Sequence, residues 1–519
     1  MIVSWATAID ANKKTSRPLK STPENVMIQT YGFRTVAVTI LIGLALTGQA
    51  QTQEDYGYTE FEASGSPEAH QVFLRGLLQL HNFEYEDARA SFQEASSIDS
   101  DFTMAYWGEA LSYEHSFWGR FNIEESRAVM ARLGATPEAR AAKAQTQREK
   151  DYLHTLEVLF SEGTQEEREL RYSDALRELH EKYPDDLDAA AFYALSILFT
   201  TYGGRDYTRY MQAAAIAEEI LDKNPLHPGA LHYSIHSYDD PIHAPLGLRA
   251  AEDYFKVAPS AIHALHMGSH IYFALGMWEE GTDRNIRSFE EAVGRQANPN
   301  DLYGGQAYHA LTWLIYSLSQ QGDHEGAQER LALIERQVEQ YGDESAVVRR
   351  HFVGARASYI IDTLQWDNHY AGVEIDHDGL PPFSIATDHY VQGVVALKRG
   401  DASKAQAALA AMGGETEINS TDRETMAPLL LRLALEGQMA LAAGQVKEAL
   451  ELIGKAAELE GQLPAEYGPA VPVQPMAELL ADTYLVLGEA EKAQHYYELS
   501  LESAVGRERS LSGLSKASH

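Results

Sequence analysis

Apolar and small residues recur along this chain at three- and four-residue spacing, in paired runs separated by a glycine or a short polar turn. That is the period of helices with one buried stripe, joined as hairpins. In HQVFLRGLLQLHNFEYEDARASFQEASSIDSDF, residues 70–102, Gly76, Ala88, Phe92 and Ala95 stand where two antiparallel helices must approach closely. The pattern repeats in residues 210–233, with Ala213, Ala217 and Ile220 before Pro225. It returns around predicted turns at Gly276, Gly322, Gly400, Gly444 and Gly488. An alanine lies five residues after four of these glycines: Ala327, Ala405, Ala449 and Ala493. Turn glycines at 400, 444 and 488 are 44 residues apart, so these repeats are longer than the usual unit of about 34. The segment 345–366 reads as one further, atypical hairpin, and 371–385, with Gly372, Gly379, Pro381 and Pro382, as a loop. No segment shows a convincing strand period. The expectation is an all-α, tetratricopeptide-like (TPR-like) solenoid of roughly eight to nine helical hairpins, wound as a right-handed superhelix with a concave face.

The ends of the chain read differently. Residues 36–46, VAVTILIGLAL, form an eleven-residue apolar run after Arg34 and before Gly48-Gln49-Ala50. A run this short suits the apolar region of a signal peptide better than a membrane-spanning helix. Residues 1–50 are therefore expected to be a leader, with Met27 as an alternative start; 51–66 a linker; and 67–519 the solenoid. Export to the periplasm or beyond follows as an expectation, with no stable membrane span after cleavage.

Composition narrows the chemistry. The net charge is −34, from 42 Lys and Arg against 76 Asp and Glu, which disfavours nucleic acid as a partner. There is no cysteine, which excludes disulfides, thiolate metal sites and a cysteine nucleophile. No phosphate-binding loop, G-x-S-x-G elbow or H-E-x-x-H motif is present.

The twenty histidines are unevenly placed. His232 and His236 are four apart, as are His266 and His270, and the second pair follows the first by 34 residues, one repeat. Both pairs thus fall at the same positions on the first helices of consecutive hairpins, the stripe expected to line the groove. His263 and His309 fall on the same face. Residues four apart on a helix can share one ion, and adjacent helices bring two such pairs within reach. Asp239 and Asp240 end the first of these helices and could complete a site or orient an imidazole. Imidazole donors suit Zn, Cu, Ni or Fe. The same histidines could instead fix the stacking of repeats through hydrogen bonds to tyrosines, carboxylates or backbone. Glu252 and Asp253 are weaker acid–base candidates. His81 and His115 read as ordinary inter-helix contacts, and Arg349, Arg350 and Arg356 as a solvated helix face.

The segments HNFEYEDARASFQEA (81–95), MAYWGEAL (104–111), HPGALHYSIHSYDDP (227–241), HALHMGSHIYFALGMW (263–278) and GRERSLSGLSKA (506–517) resemble an exported bacterial TPR family. That family more often has a proline where this chain has Gly268, and the resemblance implies a fold without an established activity. Two functions stand as expectations. One is an exported scaffold that takes a peptide or protein partner in its groove, acting alone or as the interaction subunit of an exported enzyme or transporter. The other is a metal-binding protein or metalloenzyme built on His232, His236, His266 and His270.

Overall fold

A computed structural model describes residues 53–118, 120–202, 204–298, 301–412, 423–464 and 468–519. The expected leader lies outside these residues. Among the described residues, twenty-three α-helices follow one another, and each helix packs mainly on its neighbours in sequence. The fold is the expected TPR-like array of helical hairpins. Among the described residues, the only sheet is an antiparallel pairing of Glu114–His115 with Arg120–Phe121. No described helix is long and apolar enough to cross a membrane.

The predicted hairpin turns are where the sequence placed them. Gly276, Gly322, Gly400, Gly444 and Gly488 all have φ between 69° and 79°, a left-handed conformation that glycine enters without a Cβ penalty. Ala327, Ala405, Ala449 and Ala493 are fully buried where the two helices of each hairpin touch. The first hairpin departs from this rule. Phe83, five residues before Ala88, holds the turn-glycine position with φ 57°. One hairpin without a glycine turn of this kind has both helix starts fixed by capping instead. Thr146 with Glu149, and Thr164 with Glu167, form capping boxes on the Gln147–Leu159 and Gln165–Lys182 helices.

Three expectations need correction. Segment 345–366 is not a hairpin: Ala346–Thr363 is one continuous helix, and residues 364–381 return along it with a single 3-10 turn at His369–Gly372. Its stripe is apolar on both sides because it packs on the helices before and after it. Residues 53–66 do not form a free linker. Tyr56 and Phe61 are buried, Tyr58 N donates to the Leu226 carbonyl (2.9 Å), and Thr59 Oγ1 donates to Asp188 Oδ2 (2.8 Å). Arg349 and Arg356 are buried rather than solvated: Arg356 pairs with Asp388 at 2.6 Å, and Arg349 donates to the Gly342 and Asp378 carbonyls.

The chain also makes contacts that skip many repeats. The turn at Asn82–Glu84 meets the Pro228–Tyr238 and Ile262–Ala274 helices, with Tyr254 OH donating to Asn82 Oδ1 (2.7 Å) and His263 N to Glu84 Oε1 (3.3 Å). Near the other end, Trp278 Nε1 donates to the Gly506 carbonyl (3.0 Å), and buried Arg507 pairs with Glu478 (2.7 Å) and Asp362 (2.6 Å). The first of these convergences holds the histidines.

Candidate metal centre

Two consecutive first helices carry most of the site. Pro228–Tyr238 starts with proline at its first position, which presets φ, and with His227 capping Ala230 N through Nδ1 (3.2 Å). Ile262–Ala274 runs unbroken through Gly268. A Cβ at Gly268 would stand 2.9 Å from the Ala251 carbonyl oxygen, so glycine lets the neighbouring helix lie close here. Both helices are covered on nearly every side. His232, His236, His263, His266 and His270 are all buried, and His309, on Gly305–Gln320, is the least covered of the six. The stripe expected to line an open groove is closed over by neighbouring helices and by the Phe83 turn.

The six side chains gather as two adjoining triads, His232–His236–His263 and His266–His270–His309, with ligand atoms in each within 4.8 Å of one another. In the first, His232 Nε2 lies 3.1 Å from His263 Nε2. In the second, His266 Nε2 lies 3.1 Å from His270 Nε2, and the His309 ring meets His266 edge-on at 4.5 Å. The His236 and His270 rings, one from each triad, are 5.5 Å apart.

The opposite ring nitrogens decide the tautomers. His232 Nδ1 donates to the His81 carbonyl oxygen (2.8 Å). His266 Nδ1 donates to Asn285 Oδ1 (2.7 Å), and Asn285 Nδ2 in turn donates to the Gly281 carbonyl, which fixes the amide's orientation. His270 Nδ1 (3.1 Å) and His236 Nδ1 (3.3 Å) both donate to Asp239 Oδ2. A carbonyl, an oriented amide oxygen and a carboxylate can only accept, so each of these Nδ1 atoms carries a proton, and in its neutral form each ring turns the Nε2 lone pair inward. Imidazole ligands of metal ions are held this way, with the far N–H on an oxygen of the protein.

Burial keeps most of these rings neutral. It pushes His232, His263 and His266 well below the usual histidine value, and each neighbouring imidazole pushes the same way. His236 falls to about 4, burial outweighing its bond to Asp239, and His309 falls to about 3. Burial would raise Asp239, but the Arg205 guanidinium at 2.7 Å and the two histidines override it and hold the carboxyl well below its usual range.

Other residues take different parts from those expected. Asp239 orients two imidazoles, whereas Asp240 pairs with His243 (2.9 Å) outside the triads. Exposed Glu252 and half-buried Asp253, the latter bound to Lys256, are not in the site. His81 is no ordinary packing contact. Its Nε2 bonds Asp188 Oδ1 (2.9 Å), its Nδ1 meets Tyr233 OH (3.0 Å), and His227 Nε2 lies 3.5 Å from the same carboxylate. This buried network holds the carbonyl that His232 uses. Arg205, Asn285 and Phe83 escaped the sequence reading because none repeats with the hairpin period. His227, first residue of the HPGALHY motif, was visible there but taken only as part of the motif.

Aromatic rings wall the site. The Phe83 ring lies 4.3 Å from His232 and 5.4 Å from His263, Phe117 lies 4.2 Å from His236, and Trp313 stacks on His270 at 4.6 Å. A non-glycine residue in the left-handed region costs roughly 1–2 kcal/mol. The turn tolerates this because the Phe83 ring fills the space over the first triad. Beyond Phe83 and Phe117, a narrow pocket continues between Phe192, Phe199, Tyr233 and Glu114.

No family model matches the chain, and no curated protein matches it. Among solved structures it is similar to yeast Tom70, at 14% identity over 87% of this chain and 95% of that one, with a TM-score of 0.36. It is also similar to the human IFIT1 dimer with m7Gppp-AAAA (13% identity, 87% and 92% covered, TM-score 0.38). A third is the Cut9–Hcn1 hetero-tetramer (15% identity, 89% and 79% covered, TM-score 0.35). At such identities and scores these likenesses add nothing to the site. The hairpin architecture rests on this chain's own contacts.

Proposed function

We propose that this helical-hairpin protein binds a transition-metal ion in its buried histidine cluster. One observation carries the reading: His266 and His270 turn their Nε2 atoms towards each other at 3.1 Å while both Nδ1 protons are committed to Asn285 and Asp239. Two lone pairs facing each other inside a protein repel unless a cation lies between them. Three-nitrogen tetrahedral coordination at 2.0–2.1 Å sets neighbouring ligand nitrogens about 3.3 Å apart, close to this spacing. The all-nitrogen donor set favours Zn, Cu, Ni or Fe over Mg or Ca. The alternative cation is a proton shared by the two rings, which would leave the cluster a structural network.

Asp239 also has its oxygen within ligand distance of His236 and His270. Arg205 on its other oxygen opposes a metal at that place, which favours an orienting role for the carboxylate. A partner-binding scaffold remains a second proposal, supported by the helical-hairpin architecture alone. The histidines no longer argue for it, because they are buried.

The test is elemental analysis of the full chain, purified without an affinity tag of histidines, beside the His266→Ala/His270→Ala variant. Stoichiometric transition metal in the wild type, reduced in a variant with unchanged helical circular dichroism, is the expected result. Metal-free wild type that stays metal-free after incubation with Zn(II) or Cu(II) overturns the reading.

A further inference from the structure

We infer that the centre is binuclear, with one ion on His232, His236 and His263 and a second on His266, His270 and His309. This rests on the metal-binding reading above and goes beyond it in number and arrangement of ions.

The first triad has a similar arrangement on different residues, although only His232 of its facing pair has its Nδ1 proton committed, so His263 can meet it as an N–H donor when no ion is bound. His232 commits its Nδ1 proton to the His81 carbonyl, so its Nε2 lone pair faces His263 Nε2 at 3.1 Å. His236 commits its own Nδ1 proton to Asp239. Each set supplies three imidazoles, two of them four apart on one helix and the third from a neighbouring element: the start of Ile262–Ala274 for the first, Gly305–Gln320 for the second. Three protein ligands leave a fourth position on each ion for an exogenous ligand. One ion cannot be reached by all six rings. The histidine donors cluster within 4.8 Å as two threes, the one grouping that crosses between them being His236 and His270 with Asp239, and His232 and His263 face each other, as do His266 and His270.

The two triads are joined by Asp239. Its Oδ2 receives one N–H from each, His236 and His270, whose rings are 5.5 Å apart. Arg205 at 2.7 Å holds that carboxylate in place from the far side. A change at one ion is therefore felt at the other through a shared hydrogen-bonded carboxylate. Neither triad contains an acidic ligand, so two divalent ions there keep their full charge and suit an anionic or oxygen-donor ligand bound between them.

The experiment is titration of metal-free full-length protein with Cu(II), with bound copper counted after removal of excess. It is run on wild type, His232→Ala/His263→Ala and His266→Ala/His309→Ala, with circular dichroism on each. Two copper ions in wild type and one in each variant are expected. Wild-type paramagnetic resonance should integrate to fewer spins than copper atoms, because close ions couple, and each variant should show one full spin. One copper in wild type, lost in both variants, would overturn the second ion while leaving a single shared centre. No copper in wild type would overturn both readings. The wild-type count decides the question even if a variant fails to fold.

Discussion

At the scale of single residues, the proposed metal site depends on oxygens that are not themselves ligands. Asn285 and Asp239 hold three of the imidazoles by their outer nitrogens. Removing such a partner typically costs 10–100-fold in metal affinity while leaving the ligands present. Asn285→Leu is accordingly expected to weaken Zn(II) binding by that factor in a competition assay with a chromophoric chelator, and unchanged affinity would show that the bond does not orient His266. Phe83 makes a related case. Phe83→Gly relieves a left-handed phenylalanine but removes the ring packed on His232 and His263, so the hairpin should stay folded while metal affinity drops about tenfold. Glu114 gives a pH prediction. Burial raises its carboxyl to about 7, against the hydrogen bond from Ser126. Its folded value exceeds its unfolded value, so the stability it contributes is complete below about 4.5 and is lost as pH rises through 7. Glu114→Gln should flatten the denaturation midpoint between those pH values relative to wild type, and two parallel profiles would contradict the assignment.

At the scale of elements, the helices and their turns were legible, because apolar period and turn glycines reflect local physics. All five predicted turn glycines adopt positive φ. Gly322, with open space around a would-be Cβ, isolates the backbone term: Gly322→Ala should cost about 1 kcal/mol in chemical denaturation, from conformation alone. The Ala346–Thr363 helix was misread because a helix apolar on two sides looks like two helices, and only packing distinguishes them. The pairing of His232/His236 with His266/His270 was also legible, since the repeat period puts equivalent residues on adjacent helices. Their burial was not. It depends on the Asn82–Glu84 turn, residues far away in sequence, closing over the stripe. Division into two triads likewise depends on Asn285, Asp239 and the His81 carbonyl, which carry no periodic signal.

At the scale of the whole molecule, contacts that skip many repeats tie the array together. Arg507, fully buried between Glu478 and Asp362, is the clearest. Arg507→Leu leaves buried Asp362 without its cation and Glu478 with Arg509 alone, at 3.5 Å, and removal of one partner of a buried pair typically costs about 3–5 kcal/mol. A loss well below 1 kcal/mol in denaturant unfolding would mean that the terminal helix is not held by this pair. The proposed metal centre would link three hairpins in the same sense, and an ion bound only by the folded chain stabilises it by about 2.7 kcal/mol when present at a hundred times its dissociation constant. The central claim is that inward Nε2 atoms of these histidines coordinate an ion, and X-ray absorption spectroscopy of the protein loaded with one equivalent of Zn(II) tests it most directly. The account predicts a first shell at 2.0–2.1 Å with the outer-shell scattering of about three imidazoles. A shell of oxygens without imidazole scattering, from zinc held by the acidic surface, would contradict it.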